Sequence, residues 1–307
     1  MNVSDRANLD RLTVRALLRR QHRRNTEKAT GRPLSKSLHN YQFGAIAAFT
    51  ALHIAALGVL FVPFRWSYFW LMLAMYATRM FGVTAGYHRY FSHRSFKLNR
   101  FYQLLLALLA QSSGQKSVLW WAAHHRVHHR HSDQLPDVHS PGLRGFWWAH
   151  VGWLISNTYD EYDPALIRDF SKFPELRWLD RYHWVPTAVL GAATFLAGGL
   201  GAFLWGYVFS TVILYHATFC INSLAHVWGT RRFATADESR NNFVLALVTL
   251  GEGWHNNHHR FMYACRQGIL WWELDLTYYG LRLLNWLGIA RELRGVHLPC
   301  SESEVRP

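Results

Sequence analysis

The 307-residue chain is 50% hydrophobic and 16% aromatic, yet its mean hydropathy is only −0.08, so strongly apolar stretches must alternate with strongly polar ones. Its charge of +14, from 33 Lys+Arg against 19 Asp+Glu, suits an anionic membrane surface or a nucleic acid, and the apolar runs described next select the membrane. Cys220, Cys265 and Cys300 have no CxxC spacing, which excludes a disulfide framework and a thiolate zinc site.

Residues 1–40 carry ten Lys/Arg, from Arg6 to Lys36, without the apolar core of a signal peptide. They read as a basic cytosolic tail facing acidic lipid headgroups. The first expected span, about 43–62, contains no acid or base except His53, and at about 1.5 Å per residue it crosses a bilayer core of about 30 Å. After a turn at Pro63–Trp66, a second span is expected over about 67–86, interrupted only by Arg79. Arg79 either snorkels to the interface or faces the protein interior.

From His88 to His183 the chain is polar and rich in His, Arg and Trp. Within it, Phe101–Ala110 is apolar but too short to span, which predicts an interfacial or re-entrant segment. From Trp184 through Gly229 there is no Asp, Glu, Lys or Arg, enough for two further spans, about 184–203 and 207–226, with a turn inside 198–206. Residues 268–290 mix Trp and Tyr with charge and suit an interfacial amphipathic helix. The resulting organisation is a tail (1–40), one membrane domain (41–300) and a short C-terminal tail (301–307). The first hairpin turn holds one Arg and the second none, so the positive-inside rule puts both termini and the 88–183 segment in the cytosol. Every histidine cluster then lies on one side of the membrane.

Histidine is the compositional outlier, with 19 residues. Three clusters stand out: His88 with His93, His125 with His128 and His129, and His255 with His258 and His259. His226 ends the last span. Residues three and four apart share a helical face, so the second and third clusters are each expected to present three imidazoles toward one point. His88 and His93, five apart, cannot share a face of a regular helix, which predicts that the helix ends or distorts between them. Neutral imidazole suits iron, zinc, copper or nickel, and nine such groups exceed the needs of one ion. The lone His22, His39 and His297 read as ordinary surface or core residues. His53 and His216 read as packing or hydrogen-bonding groups, and His124 and His131 as flanking residues.

These patterns, HxxxxH, HxxHH and HxxHH around apolar hairpins, resemble the membrane fatty-acid desaturases, in particular the acyl-CoA (stearoyl-CoA, delta-9 type) branch. Gly86–Arg94, His125–His129, Gly145–Trp153, Asn222–His226 and Gly251–His259 carry the resemblance. It implies an all-α integral-membrane fold, with four transmembrane helices in two hairpins and a cytosolic helical cap holding a di-iron site. It also implies two Fe bound by His88, His93, His125, His128, His129, His226, His255, His258 and His259, with Asn222 reaching a metal through water. The implied reaction uses O2 to remove hydrogens from two adjacent methylenes, giving a cis double bond and water. An unactivated C–H bond offers no acid–base handle, so a strong oxidant in a dry site is required.

The sequence departs from that branch at three places. Asp137-Val138-His139 stands where Asp-Pro-His is usual, and His139 is not assigned as a ligand. Ala123-His124 and Asn157-Thr158 replace the residues that contact CoA in the acyl-CoA branch, so the substrate is an acyl-CoA or a lipid-linked acyl chain; Lys116, Arg144 and Arg168 are alternative cations. No His-Pro-Gly-Gly haem motif follows the last cluster. Electrons are therefore expected from a separate ferredoxin, cytochrome b5 or reductase, and the basic face suits an acidic donor. A di-iron hydroxylase or oxygenase would share every cluster. A membrane metal transporter or sensor should place ionisable residues near the midplane between repeats, and the chain has no repeat. Nothing beyond charge supports nucleic-acid binding.

Overall fold

The computed structural model describes residues 41–296. The basic tail, His22, His39, His297, Cys300 and the 301–307 segment lie outside the described residues. Within 41–296 the chain is helical, and only isolated bridges such as Tyr41–Ser156 and Thr230–Asn241 replace strands.

The helices are α1 (Phe43–Ala56), α2 (Trp66–Phe81), α3 (Arg100–Gln111), α4 (Val118–His131), α5 (Pro141–Arg144), α6 (Arg168–Ser171) and α7 (Pro174–Arg181). After them come α8 (Val185–Ala202), α9 (Ser210–Asn222), α10 (Phe243–Val248), α11 (His255–Arg260) and α12 (Leu276–Trp286). Their starts are legible in the capping residues. Asn99 accepts from the Tyr102 amide, Ser117 from Trp120, Asn242 from Leu245 and Asp275 from Tyr278, each satisfying a first-turn N–H.

Two helical stretches are long and apolar enough to cross a membrane, Phe43–Phe61 and the 42-residue Val185–His226. The second is folded back on itself. Thr187 and Tyr207, 20 residues apart, would lie about 30 Å apart along a straight helix, yet their hydroxyls meet at 2.8 Å. The reversal falls at Gly199, with φ 67° and ψ −166°. That backbone region is essentially reserved for glycine, so Gly199→Val is expected to cost about 1–3 kcal/mol. A clear fall in the thermal midpoint of the purified protein would register it; an unchanged midpoint would show that the turn does not need glycine.

The Trp66–Ser92 stretch runs as one continuous helix that turns π-helical at Gly82. Arg79 takes the inward option. It is buried, and its guanidinium donates to Thr211 Oγ1 at 2.6 Å, to the Ser210 hydroxyl and, through Nε, to the Met75 carbonyl at 3.1 Å. No carboxylate is among these partners, so the charge is solvated by hydroxyls and carbonyls of α9 and its own helix. The apolar Phe101–Ala110 segment forms α3, which buries Gln103, Ala107 and Ala110 against the core and leaves Phe101, Leu105 and Leu108 exposed. The main core gathers the π-helical segment, α3, α4 and α7 around Tyr87, Phe91, Leu119 and Leu179.

Candidate metal centre

The π-helical segment answers the five-residue spacing of the first cluster. A π-turn closes i to i+5 bonds, and the His93 amide donates to the His88 carbonyl at 3.2 Å. The two rings thereby reach one side, with their Nε2 atoms 3.2 Å apart.

The nine imidazoles assemble into two groups, each with its nitrogen atoms within 4.8 Å of one another. The first holds His88, His93, His125, His129 and His258; the second holds His128, His226, His255 and His259. This corrects the expectation that each HxxHH cluster points at one place. Residues i and i+4 are offset by about 40° around a helix, whereas i+3 and i+4 are offset by about 100°. Each helix therefore passes between the groups and serves both. α4 gives its i, i+4 pair (His125, His129) to the first group and His128 to the second; α11 gives His255 and His259 to the second and His258 to the first. A third grouping, His128 with Asp137 and His139, adjoins the second. His139, not assigned from sequence, is buried with an unpartnered Nδ1.

The proton count tests whether these groups suit a metal. His88 Nδ1 faces Glu252 at 2.5 Å, His128 Nδ1 faces Asp137 at 3.0 Å, His226 Nδ1 faces Asp133 at 2.9 Å and His259 Nδ1 faces Asp237 at 2.8 Å. Each carboxylate holds the ring proton on Nδ1 and leaves a bare lone pair on Nε2. Three of the four rings of the second group are fixed in this way. His128 Nε2 and His259 Nε2 are buried with no partner. In the first group, Nε2 atoms follow one another from His125 to His93 at 2.9 Å, His93 to His88 at 3.2 Å, His88 to His258 at 3.0 Å and His258 to His129 at 2.9 Å. Each atom carries one proton or one lone pair, so five of them can make at most two hydrogen bonds together. A cation satisfies all five. The residues present therefore fit a metal in both groups.

The electrostatics agree. Burial, reinforced by the neighbouring rings, drives His93, His125, His129, His255 and His258 well below the usual histidine range, so they are neutral donors. Burial also opposes charge on His128, but Asp137 outweighs it and raises that group. Burial alone would raise the carboxyls, yet their histidine partners hold Asp133, Asp137 and Asp237 well below the usual carboxylate range and Glu252 down to about 2. Buried Arg89 adds to this at Glu252, at 3.0 Å, and also pairs with Asp275 at 2.9 Å.

Several histidines outside these groups partner elsewhere. His53 Nε2 meets His216 Nε2 at 2.9 Å, and His216 Nδ1 meets His150 Nε2 at 3.0 Å. His124 packs on Trp120. The carboxylates behind the rings were missed by the sequence reading. Their signal was the placement of Asp133 and Asp137 within nine residues of His128, and of Glu252 three residues before His255.

Two cavities adjoin these groups. One of about 240 Å³ is walled by Phe49, Leu52, Trp120, Tyr215 and Phe219, with Gln115 donating to Thr218 Oγ1 at 3.1 Å on its lining. A second, of about 40 Å³, is bounded by Met80, Val83, Thr84 and Ile221 and reaches His88, His128 and His255. Both touch Trp121, His125, His139, Thr218 and Asn222. Lys116, at the first cavity, is paired with Asp160 at 2.8 Å.

The fatty acid desaturase family model matches residues 64–284. The chain belongs to the fatty acid desaturase family. It is accordingly an oxidoreductase acting on fatty acyl chains. An acyl-CoA C20 delta-5 desaturase of Anemone leveillei is 38% identical over 256 residues, covering 80% of this chain and 81% of that enzyme. An sn-1 stearoyl-lipid 9-desaturase of Anabaena variabilis is also 38% identical, over 250 residues, covering 80% of this chain and 91% of that enzyme. A palmitoyl-monogalactosyldiacylglycerol delta-7 desaturase of Arabidopsis thaliana is 35% identical over 256 residues, covering 82% of this chain and 68% of that enzyme. The described residues of this chain thus form an all-helical scaffold, with histidine groups able to hold metal and helices that suggest membrane association.

Proposed function

We propose that this desaturase places a cis double bond at the delta-9 position of a saturated acyl chain carried by CoA or a lipid, using O2 and two iron ions. The observation that carries the reading is the division of nine imidazoles into two convergent groups beside an apolar cavity. Five imidazoles would hold one ion and four the other, with Asn222, which lines both cavities, contributing through water. Bound iron would supply the oxidising power needed to take hydrogen from an unactivated methylene.

The protein's own residues do the rest. Aromatic walls from Phe49, Trp120, Trp121 and Phe219 bind the chain and exclude water. Carboxylates Asp133, Asp137, Asp237 and Glu252 hold their imidazoles in the tautomer that leaves Nε2 free. Gln115 and Thr218 are hydrogen-bonded to each other on the lining of the first cavity. The sn-1 stearoyl-lipid 9-desaturase, 38% identical, names the position proposed here, and the delta-5 and delta-7 desaturases name the alternatives that product analysis separates.

The membrane reading has four spans, Val185–His226 supplying two by its reversal at Gly199, with both termini and the metal groups on the cytosolic side. It retains 41–300 as one membrane domain between the two tails. A separate ferredoxin, cytochrome b5 or reductase supplies electrons, for which the basic balance of the chain offers charge complementarity.

Fatty-acid profiling by gas chromatography–mass spectrometry, in a host lacking its own desaturase, tests the reading. A cis-9 monoenoic acid is expected, and defined acyl-CoA and acyl-lipid substrates then identify the carrier. A double bond elsewhere overturns the delta-9 assignment, and a hydroxylated product moves the enzyme to the oxygenase class.

A further inference from the structure

The segment after the last histidine cluster supports the first metal group through buried side chains, Asp275 on Arg89 and Gln267 on Glu252 Oε2 at 2.8 Å, but its outer surface takes no part in the chemistry above. α12 turns Thr277 and Leu281 inward. The Thr277 and Thr84 hydroxyls meet at 2.7 Å, and Gly280 lies so close under Phe81 that a Cβ there would meet the ring at 2.7 Å. The helix is thus fastened where the second apolar run ends. Its outer face is also apolar: Leu276, Leu283, Trp286 and Leu287 are exposed, Trp286 by 81%, and Trp271 just ahead of the helix is 88% exposed. A row of this kind, at this level of the fold, is what an interfacial helix presents to lipid.

Beside that row is an open groove of about 560 Å³ lined by Arg266, Trp271, Tyr278, Tyr279 and Arg282. The two guanidinium carbons approach Tyr278 from different chain segments, 5.8 Å and 6.0 Å from its ring centroid. Arg282 donates to the Tyr278 hydroxyl at 3.4 Å and Arg266 to the Leu270 carbonyl at 3.2 Å, while Arg266 Nε is buried without a partner. Among the described residues neither arginine meets a carboxylate. The nearby acids are engaged elsewhere, Glu273 with Arg232 at 2.6 Å and Asp275 with Arg89. Two cations without a counter-charge therefore share a groove with an apolar rim.

We propose that this groove binds the phosphate of an anionic phospholipid, whose acyl chains lie along Leu283 and Trp286. The proposal rests on the membrane reading above. A guanidinium pair matches phosphate oxygens in geometry and charge. An acidic soluble partner would satisfy the arginines but leave the Leu and Trp row unexplained, whereas a phospholipid meets both.

Native mass spectrometry of the detergent-purified full chain tests this. The probes are phosphatidylglycerol and phosphatidylcholine with the same acyl chains, and inorganic phosphate. Wild type is expected to retain phosphatidylglycerol preferentially, at least tenfold over phosphatidylcholine. Arg266→Gln and Arg282→Gln are each expected to cut that retention about fivefold, the equivalent of ~1 kcal/mol per basic side chain at a membrane surface. Equal retention of the two lipids by wild type overturns the proposal without any variant. So does unchanged retention by variants with wild-type thermal midpoints. Displacement of phosphatidylglycerol by millimolar inorganic phosphate would identify a free-anion site and also overturn it. An acidic protein whose binding alone is lost in the double variant would reassign the groove to a protein partner. Lipid retention does not pass through the metal groups, so it stands or falls separately from the desaturation assay.

Discussion

Alanine at His128 is expected to abolish product formation and to strip metal from the second histidine group. His128 supplies one of only four imidazoles there, and its Nε2 is buried with no protein partner. The substitution also removes the ring partner of Asp137, a fully buried carboxylate left with the Asp133 and His139 amides as its donors. Removing one member of such a pair costs about 3–5 kcal/mol, so metal loss and reduced stability should come together. His131→Ala, one turn on and outside both groups, is the control and should retain metal and product. Metal per chain by elemental mass spectrometry, measured beside the double-bond assay, decides the matter. A His128→Ala protein with full metal content and full activity would refute the two-group arrangement.

Asp237→Asn is expected to weaken metal binding in the second group by roughly 10–100-fold, the usual cost of losing an outer-shell partner. One oxygen of Asp237 accepts from His259 Nδ1 at 2.8 Å, while the other serves Thr235 Oγ1 and the Ser239 amide, both at 3.0 Å. Asparagine can keep its carbonyl toward Thr235 and Ser239, but it then turns an NH2 toward His259. That donor requires a lone pair on Nδ1 and so moves the ring proton to Nε2, where metal must bind. The substitution thus changes one tautomer with little change of shape. A metal titration followed spectroscopically reads the loss, and an unshifted affinity would show that Asp237 does not orient the ring. The same change at Glu252 should be felt in the first group, where, among the described residues, His88 is the one ring of five backed by a carboxylate. Asp133, Asp137 and Asp237 back three of the four rings in the second, so the two groups are electrically unequal by construction.

Much of this was legible in the chain itself. Apolar runs marked Phe43–Phe61 and Val185–His226, because covering a hydrocarbon core takes about 20 consecutive apolar residues and both stretches reach that length. The histidine spacings marked six of the nine convergent imidazoles, since three- and four-residue intervals are local helix geometry, and His226 was marked by its place at the end of the last apolar run. The five-residue interval of His88 and His93 required a distorted helix, and the π-helical turn supplies it. These are short-range consequences of backbone geometry, and sequence alone carries them.

What the tertiary structure decided lies at longer range. The division of each HxxHH cluster between two groups depends on α4 and α11 passing between them, and no spacing within either helix encodes that placement. The carboxylates arrive from other segments: Glu252 from beside α11, Asp133 across 93 residues to His226, and Asp237 across 22 to His259. Arg79 found hydroxyls rather than the interface because α9 brings Ser210 and Thr211 within reach. Local sequence therefore determined which side chains could bind metal, since a few dihedral angles suffice to set their faces. Packing determined how those side chains divide into two groups and which acids orient them, since both depend on contacts between residues far apart in the chain.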